Sequence, residues 1–481
     1  MVDVPGTFEK ARRMAGYTGK MIVVGVLVLI CWVASLLVLG VISERQGRQQ
    51  EAEQEVASSW GRPQLIAGPV LVVPTSVYVA NPNVPAGRTQ QVIYILPKDL
   101  SINSTLEPEV RKRGIYSAPV YRSNLVVTGN FPRPEYERLG VAFSSLLWGE
   151  AKIVMGLSDT RGINIKSASW NGRDISFKAG AQEWKVNGMG VHAVPGTFAN
   201  SPEQTFTIDL DIAGSKSISF LPLGDNTVVN ASAPWGSPSF AGAYLPDEEE
   251  ITKDSFSATW HISSLGRSYP NAWLGTNGGV SLSSDDGYGY DGIFGDGRVK
   301  PINVYSNTPE EYGQALASSA FGVNLFREVT FYTLVSRTVK YAILFIALTF
   351  LAFYLFEVVS RTRVHPFQYL LIGASLVLFY LLLLSFSEHI GFALAYLLSS
   401  IMTLGLVTAY SFNVLKARSR AWIIAAILAV LYAYLYAILQ LEQFALLFGT
   451  LFLFAALAAI MRATRKIEWY GEERESSKSL E

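Results

Sequence analysis

Five long apolar runs follow one another almost without interruption in the C-terminal part of the chain: 341–356, within a predicted helix 338–359, and then 367–386, 391–412, 421–439 and 444–461. A sixth run, 21–42, stands alone near the N-terminus. Each run is about as long as the 17–25 residues that an α-helix needs to cross a bilayer. A water-soluble domain could not bury so many uninterrupted apolar helices. The sequence therefore predicts a membrane protein with an α-helical bundle of six transmembrane helices.

The segment 43–337, between the first and second runs, contains no apolar run of membrane length. It is long enough for one large domain or two small ones. Acidic residues outnumber basic ones in this segment, whereas a nucleic-acid partner usually requires a basic face. We therefore predict a large inserted domain with no nucleic-acid partner.

Basic residues flank the runs in a pattern that predicts their orientation. They precede the first run, lie between the second and third and between the fourth and fifth, and follow the sixth: Lys10, Arg12, Arg13, Lys20, Arg361, Arg363, Lys416, Arg418, Arg420, Arg462, Arg465 and Lys466. The opposite turns, 387–389 and 440–443, contain no Lys or Arg. Because basic loops stay in the cytoplasm, we expect the N-terminal segment 1–20 and the C-terminal tail 462–481 to be cytoplasmic. The domain 43–337 is then periplasmic.

The first run is interpreted as a retained anchor, because it is longer than a typical signal-peptide core and no small-residue cleavage site follows it. The single cysteine, Cys31, lies inside this run, so the exported domain forms no intramolecular disulfide. A domain of this size can fold without one.

The exported segment has the periodicity of β-strands. From Thr205 to Leu221, apolar and polar residues alternate on both sides of the sequence 213–215, which predicts a β-hairpin with one apolar face. Similar strands separated by Gly, Pro, Asn and Asp turns favour a β-rich, sandwich-like domain. Residues 44–60 are predicted to extend the first helix, and 309–326 to form a helix that leads back to the membrane.

The loop from Asp285 to Asp296 is a candidate calcium site, because it partly matches the calcium-binding nonapeptide of β-helix repeats. Those sites require stacked copies, and this loop occurs once. Its carboxylate spacing also differs from that of an EF-hand. An ordinary turn-rich loop is the favoured interpretation, and calcium binding stays open.

Patterns typical of enzymes do not occur in the exported segment. Its two histidines, His192 and His261, lie in no triad or zinc-ligand spacing, and there is no Gly-x-Ser-x-Gly motif. Gly16 to Lys20 lacks the spacing of a phosphate-binding loop. We therefore predict no catalytic residues, no cofactor and no metal.

Polar residues near the ends of the apolar runs are the candidate functional residues: Glu357, His365, Gln368, Glu388 and His389. In one interpretation they form a network that responds to protons or substrate in a transporter-like core. In the other they anchor helix ends in the interface, where their charges reach water or headgroups. No run has a clear charge at its centre, which favours the second interpretation.

Two segments closely resemble the CreD family of bacterial inner-membrane proteins. The first is 338–357 (TVKYAILFIALTFLAFYLFE) and the second is 365–392 (HPFQYLLIGASLVLFYLLLLSFSEHIGF). The similarity includes polar positions as well as apolar ones: Lys340, Glu357, His365, Gln368, Ser387, Glu388 and His389. Shorter similarities occur in the exported segment, at 68–74, 159–163 and 238–246.

The resemblance implies an inner-membrane protein of cell-envelope integrity and stress response, with links to colicin tolerance and, in some bacteria, to β-lactam response. It implies no catalytic residues. Three hypotheses follow. The first is a non-enzymatic protein whose periplasmic domain binds a protein, lipid or cell-wall partner. The second is a transporter or channel for an envelope component, built on the polar residues of helices 2–4. The third is a membrane enzyme acting on peptidoglycan or lipid precursors, and the sequence favours the first.

Overall fold

The computed structural model describes the chain except for a set of short segments and the C-terminal tail: 1–4, 80–86, 133–135, 181–183, 187–188, 197–202, 276–277, 281, 284–302, 305–314, 326–330, 361–363, 416–417, 442–443 and 466–481. The chain divides into two compact units. The helical unit comprises Met1–Arg48 and Val329–Glu481, and the β-rich unit comprises Gln49–Glu328. The candidate calcium loop lies outside the described residues.

Seven α-helices of ten or more residues occur in the described part of the chain: α1 (Pro5–Trp60), α2 (Phe331–Lys340), α3 (Ala342–Ser360), α4 (Pro366–Ile390), α5 (Phe392–Leu415), α6 (Arg418–Gln440) and α7 (Ala445–Thr464). The C-terminal part of α1 confirms that residues 44–60 continue the first helix. Their good helix formers explain this continuation.

Four helices of the described residues are long and apolar enough to cross a membrane: Gly19–Trp60, Pro366–Ile390, Phe392–Val414 and Ala421–Gln440. A fifth span arises if α2 and α3, which meet at a bend of 45°, are counted together. The sixth apolar segment, Leu447–Arg462 within α7, is shorter than this. Length and composition therefore support four or five spans, and the count of six stays a prediction.

The β-rich unit contains 21 strands among its described residues: β1 (Gln64–Val79), β2 (Gly87–Ile95), β3 (Asp99–Arg113), β4 (Tyr116–Pro132), β5 (Lys152–Leu157), β6 (Asn164–Trp170), β7 (Arg173–Asp174), β8 (Lys178–Ala179), β9 (Trp184–Val186), β10 (Gly190–Ala193), β11 (Glu203–Ser215), β12 (Ser217–Phe220), β13 (Asn226–Ala233), β14 (Pro238–Gly242), β15 (Glu248–Ile251), β16 (Phe256–Ser263), β17 (Ala272–Gly275), β18 (Gly278–Val280), β19 (Leu282–Ser283), β20 (Asn303–Val304) and β21 (Phe321–Leu325).

Most of these strands belong to two large sheets. One has eight described strands in the order β15-β16-β13-β3-β4-β11-β6-β7. The other has nine, with the path β14-β21-β12-β1-β5-β10-β8; in addition, β2 pairs with β1, and β17 pairs with β2. Neighbouring strands are mostly antiparallel, but β13 runs parallel to β3 and β12 runs parallel to β1.

The two sheets share one hydrophobic core. Buried side chains from both, such as Leu210 of β11 and Val72 of β1, belong to the same cluster. Trp260 of β16 packs across the core against Phe321 of β21, with ring centroids 5.6 Å apart. This arrangement agrees with the predicted sandwich-like, β-rich domain.

The predicted hairpin at 205–221 is wrong in its pairing. Both strands exist, as β11 and β12, but β11 pairs with β4 and β6 in the eight-stranded sheet. In contrast, β12 pairs with β1 and β21 in the nine-stranded sheet. Lys216, between them, has a left-handed backbone with φ of 59° and redirects the chain from one sheet to the other. Ser217 and Ser219 are buried, so this strand does not have the wet face that alternation predicts.

The predicted helix 309–326 is wrong over Phe321–Leu325, which form β21, and its residues 309–314 and 326 lie outside the described residues. This strand lies between β12 and β14 and pairs with both. Phe321 and Val323 are completely buried there. Sheet pairing and burial outweigh the local helical preference of the segment.

Candidate functional site

Glu357, near the end of α3, is the most enclosed of the predicted polar residues, with only 4% of its surface exposed. Its carboxylate forms an ion pair with the Lys20 ammonium of α1. It also accepts hydrogen bonds from the Val364 amide at 3.2 Å and from the Tyr369 hydroxyl at 3.0 Å. Three donors thus surround one carboxylate, which offsets the cost of removing it from water.

Lys20 connects three parts of the helical unit. Besides the ion pair with Glu357, its ammonium donates a hydrogen bond to the Val364 carbonyl at 2.6 Å. Its position brings α1 to the end of α3 and to the start of α4. The sequence identifies Lys20 only as a topology signal, because its partner lies 337 residues away.

His365 and Gln368 form the N-terminal cap of α4. The Phe367 amide donates to His365 Nδ1 at 3.2 Å, and the His365 amide donates to Gln368 Oε1 at 2.9 Å. Pro366 follows His365 at the start of the helix, where its missing amide hydrogen costs nothing. These contacts satisfy backbone groups that a helix start leaves open, so both residues stabilise the fold locally.

Glu388, near the C-terminal end of α4, has partners of the same kinds as those of Glu357. Tyr332 of α2 donates a hydrogen bond to Glu388 Oε1 at 3.1 Å. Arg45 of α1 lies 3.8 Å from the same oxygen through its Nε. Only 10% of the Glu388 side chain is exposed, whereas 40% of the Arg45 side chain is exposed. The site is therefore a looser ion pair at the edge of the bundle.

His389 is exposed, although it follows Glu388 directly in the sequence. The structure separates these two predicted residues: the glutamate faces α1 and α2, and the histidine faces outward. Glu357 and Glu388 are also apart, because they lie beside opposite ends of α4.

One face of α1 connects the two carboxylate sites. Its buried residues recur every three or four positions: Cys31, Ser35, Val38 and Ile42. Lys20 and Arg45 continue the same spacing at both ends, as expected for one helix face. The two basic residues are separated by about 38 Å along the axis, at 1.5 Å per residue. A hydrocarbon core of about 30 Å therefore fits between them.

Gly373 allows a close approach of α1 to α4 between these sites. A side chain added at Gly373 would collide with the Cys31 sulfur and would lie 2.8 Å from the Phe350 ring of α3. Small residues serve this purpose in membrane helices, because they permit tight packing. The helices are thus held by ion pairs near both ends and by packing between them.

The β-rich unit has a separate polar cleft of about 300 Å³. Its lining combines an indole with side chains of both charges, Trp60, Glu107, Arg122, Lys166 and Asp211 among them. The Lys166 ammonium lies 2.8 Å from Asp211 Oδ1. This hydrogen bond lowers the pKa of Asp211 and raises the pKa of Lys166. Both groups therefore remain charged over the physiological range.

Trp60 closes one side of this cleft. Its indole nitrogen donates to the Tyr121 carbonyl at 3.2 Å, which fixes the ring. The guanidinium groups of Arg111 and Arg122 lie 3.9 and 5.1 Å from the ring centroid. A fixed aromatic surface beside charges of both signs can bind a ligand that has apolar and charged groups. Sequence reasoning missed this cleft, because its residues come from strands far apart in the chain.

The described residues contain no group of three or more His, Cys, Asp and Glu side chains that could hold a metal ion. His192 and His261 belong to different sheets: His192 lies on β10 of the nine-stranded sheet, and His261 lies on β16 of the eight-stranded sheet, beside Asp247.

Two solved structures of yeast LTA4 hydrolase, one with bestatin and one native, have weak similarity to this chain. Their sequence identities are 10% and 9%, and their TM-scores are 0.18 and 0.19. Each match covers 34% of this chain and, respectively, 26% and 28% of the hydrolase. At such TM-scores the similarity carries no argument about fold or activity.

Sequence comparison is far more informative. The model of the family described as inner membrane protein CreD matches residues 16–470. The inner membrane protein CreD of Escherichia coli (strain K12) is 32% identical over 449 residues, which cover 92% of this chain and 91% of the relative. The matched region includes both carboxylate sites and the polar cleft. The chain therefore belongs to the CreD family of inner membrane proteins.

Proposed function

We propose that this protein supports cell-envelope integrity under stress without catalysing a reaction. Its β-rich unit lies in the periplasm and binds an envelope partner, and the helical unit anchors it in the inner membrane. The observation that carries this proposal is the polar cleft of the β-rich unit. Its fixed indole and its charges of both signs suit a partner with mixed chemistry, such as a protein, lipid headgroup or cell-wall fragment.

The carboxylate sites support the anchoring role. Lys20 and Arg45 bind α1 to the rest of the helical unit at two levels, about 38 Å apart along the helix. That spacing exceeds a hydrocarbon core of about 30 Å and lies below the full bilayer thickness of about 40–45 Å. Both ion pairs are then at the headgroup level, where charged groups are tolerated.

The basic segments support a cytoplasmic location for both termini. Lys20 lies at the same end of the helical unit as Glu357, and the sequence just after that glutamate contains Arg361 and Arg363. Under the positive-inside rule this end faces the cytoplasm. The connection from α1 to the β-rich unit, beyond Arg45, then leaves on the periplasmic side.

A cysteine-labelling experiment tests this orientation. Leu265, with 96% of its surface exposed, is a suitable site in the β-rich unit, and Arg462 is an exposed site near the end of α7. In intact spheroplasts, a membrane-impermeant maleimide should label Leu265→Cys and should leave Arg462→Cys unlabelled until lysis. The wild type is the control, because its only cysteine is buried. The reverse labelling pattern would exclude the proposed orientation.

A complementation experiment tests the role of the cleft. A deletion strain is challenged with detergent, colicin or β-lactam, and protein abundance is measured by immunoblot. Arg122→Glu and Lys166→Glu should lose tolerance at normal abundance, because they reverse charges that line the cleft. Lys178→Glu is the matched control, since Lys178 is an exposed lysine outside the lining. Full tolerance in both cleft variants would contradict partner binding there.

Transport of an envelope component is the second candidate function. The observation that favours it is a set of buried hydroxyls in the bundle with no hydrogen-bond partner among the described residues, including those of Ser399 and Thr408 on α5. Polar groups inside a membrane bundle often mark a substrate path. If transport is the function, Ser399→Ala should reduce tolerance at normal abundance, whereas an anchoring bundle predicts no change.

A further inference from the structure

The floor of the polar cleft is the outer face of the eight-stranded sheet. Four of its lining residues, Glu107, Asn124, Asp211 and Lys166, belong to the neighbouring strands β3, β4, β11 and β6. Along β3, β4 and β11 the cleft side chains alternate with buried ones, so they lie on the side of the sheet that faces away from the core. The cleft therefore continues into the rest of this outer face.

A row of polar side chains leads from the cleft across the sheet. It has one member on each of seven neighbouring strands, from β6 to β15: Asn164, Asp211, Asn124, Thr105, Ser232, Ser257 and Glu250. All seven residues are at least partly exposed. Neighbouring strands lie about 4.8 Å apart, so the six steps of this first row cover about 29 Å. Such a row offers continuous polar contact to an extended polymer.

A second row lies beside the first on the same seven strands: Ser167, Asp209, Val126, Asn103, Asn230, Thr259 and Glu248. Eleven of the fourteen residues in the two rows are Ser, Thr, Asn or Asp. These side chains are short and lose less rotamer entropy than Lys, Arg or Glu when a ligand covers them. The two rows therefore form a polar surface that a ligand can cover at low entropic cost.

Hydrogen bonds within the two rows fix the orientation of their amides and carboxylates. The Asn124 amide donates to Asp209 Oδ1 at 2.8 Å and to Asp211 Oδ1 at 3.1 Å. The Asn230 amide donates to Asn103 Oδ1 at 2.8 Å. These planar groups are held in place before a ligand binds, and such preorganisation favours affinity.

Hydrogen-bonding capacity remains available on the first row. The Lys166 ammonium and the Asn124 amide both contact the same oxygen, Asp211 Oδ1. The described part of the chain provides no donor for Asp211 Oδ2 and no side-chain partner for the hydroxyls of Thr105 and Ser257. A ligand hydroxyl both donates and accepts, so it can pair with a carboxylate oxygen and with a protein hydroxyl at once.

The charge of the two rows selects against anionic ligands. The rows contain the carboxylates of Asp209, Asp211, Glu248 and Glu250 and no Lys or Arg. Lys166, beside them, is already paired with Asp211. Placing like charges together at an interface costs several kcal/mol, so an anionic headgroup or an anionic polymer would be repelled. A neutral ligand with many hydroxyls fits both the charge and the hydrogen-bonding groups.

Trp60 adds an apolar surface at the cleft end of the first row. Its indole is fixed by the hydrogen bond to the Tyr121 carbonyl. A sugar ring has an apolar C–H face that stacks on an indole, while its hydroxyls remain at the ring edge for hydrogen bonds. An aromatic ring beside fixed carboxylates and amides is therefore suited to a carbohydrate.

We propose that the cleft and the two rows bind a neutral glycan in an extended conformation. One sugar stacks on Trp60, and the following sugars lie along the rows with their hydroxyls hydrogen-bonded to Asp211, Asn124 and Thr105. The repeat of an extended β-linked glycan is close to the spacing of the strands, so successive sugars meet successive strands. This inference rests on the proposed function of the cleft and names a glycan as its partner.

Isothermal titration calorimetry with the purified full-length protein tests this inference. The protein is kept in a detergent without a sugar headgroup, so that the detergent does not compete. Two neutral probes are used, chitohexaose with acetamido groups and cellohexaose with hydroxyls alone, and polygalacturonate is the anionic probe. The wild type should bind one or both neutral hexasaccharides and should not bind polygalacturonate.

Thr105→Lys places a long side chain across the middle of the first row and should abolish binding of the hexasaccharides. Thr205→Lys is the matched control, because Thr205 is also exposed on the outer face but lies about 20 Å along β11 from Asp211. Asp211→Ala should weaken binding at least about tenfold, since it removes a charged acceptor. A cooperative thermal transition in each variant confirms that it is folded.

Two outcomes would overturn the inference. The first is a folded wild type that binds neither hexasaccharide. If Arg122→Glu and Lys166→Glu still lose stress tolerance, the proposed function then stands with a protein or lipid partner in the cleft. The second is equal binding by Thr105→Lys and Thr205→Lys, which would place the glycan elsewhere. In contrast, hexasaccharide binding that Thr105→Lys abolishes would support the glycan site even if the cleft variants kept full tolerance, and only the proposed function would then fail.

Discussion

Glu357 and Glu388 have the same kinds of partner in the helical unit. Each carboxylate is paired with a basic residue of α1, Lys20 or Arg45, and each accepts a hydrogen bond from a tyrosine hydroxyl. The two carboxylates differ in how completely protein groups surround them. Glu357 also accepts a hydrogen bond from the Val364 amide and is almost completely buried. In contrast, Arg45 Nε lies 3.8 Å from Glu388, and the Arg45 side chain is 40% exposed.

This difference separates a structural site from an adjustable one. A buried carboxylate with three donors holds its neighbours in one arrangement, because any movement leaves a charge without a partner. The Arg45–Glu388 pair is longer, at 3.8 Å, and the Arg45 side chain is 40% exposed, so separating the two charges costs less. The Lys20 end of the helical unit is therefore the more rigid attachment of α1, and the Arg45 end can rearrange if the protein transmits a signal or moves a substrate.

Glu357→Ala should give the largest effect. It leaves the Lys20 ammonium and the Tyr369 hydroxyl without their acceptor in a buried site, which costs about 3–5 kcal/mol. We expect a large fall in the thermal midpoint of the purified protein and low abundance in the membrane. Glu357→Gln is the control, because it keeps an acceptor for Tyr369. Normal abundance and stability of Glu357→Ala would show that the cluster does not hold the helices together.

Glu388→Ala should have a smaller effect on stability. It removes the hydrogen bond from Tyr332 to a carboxylate, which contributes about 1.5–3 kcal/mol, and the 3.8 Å ion pair with the 40% exposed Arg45 side chain, which contributes less. Under the proposed function, stress tolerance should follow protein abundance on an immunoblot. Tyr332→Phe removes the same hydrogen bond, and we expect its abundance and stress tolerance to match those of Glu388→Ala. Loss of tolerance at normal abundance would instead make this site an active element and would favour transport or signalling.

His365→Ala should cost about 1 kcal/mol, the usual contribution of an N-cap. The Phe367 amide loses its acceptor, and the capping box with Gln368 opens. Because the cap orders only the start of α4, we expect a modest fall in the thermal midpoint and unchanged stress tolerance. His365→Asn is a suitable control, since Asn is also a good N-cap residue. An effect as large as that of Glu357→Ala would assign His365 to the same network as Glu357.

The limits of sequence reasoning are visible in the same residues. Polar residues at the ends of apolar runs are rare enough to single out Glu357 and Glu388, and the start signals of α4 point to His365. Their partners are not predictable locally, since Lys20 and Glu357 are 337 residues apart. The one signal for these partners is the residue spacing along α1, because Lys20 and Arg45 lie on the helix face formed by Cys31 and Val38.

The two sheets show a similar limit. Strand β11 alternates buried and exposed side chains, so its pattern predicts a half-buried strand correctly. Strand β12 is buried throughout, and the same alternation in its sequence leads to the wrong partner. The position of a strand that is buried on both faces depends on tertiary packing. The local pattern of apolar and polar residues therefore does not predict its partner strand.

His389→Ala should have the smallest effect. The side chain is exposed, although its neighbour Glu388 faces the bundle. Surface substitutions of this kind usually change stability by less than about 0.5 kcal/mol. We expect wild-type abundance and wild-type tolerance to detergent, colicin and β-lactam in the complementation assay. Since Glu388→Ala alters the adjacent position, the pair of variants distinguishes the two residues directly. A loss of tolerance in His389→Ala at normal abundance would show that the exposed histidine contacts a partner. The adjustable element of the helical unit would then not be identified by the difference between Glu357 and Glu388.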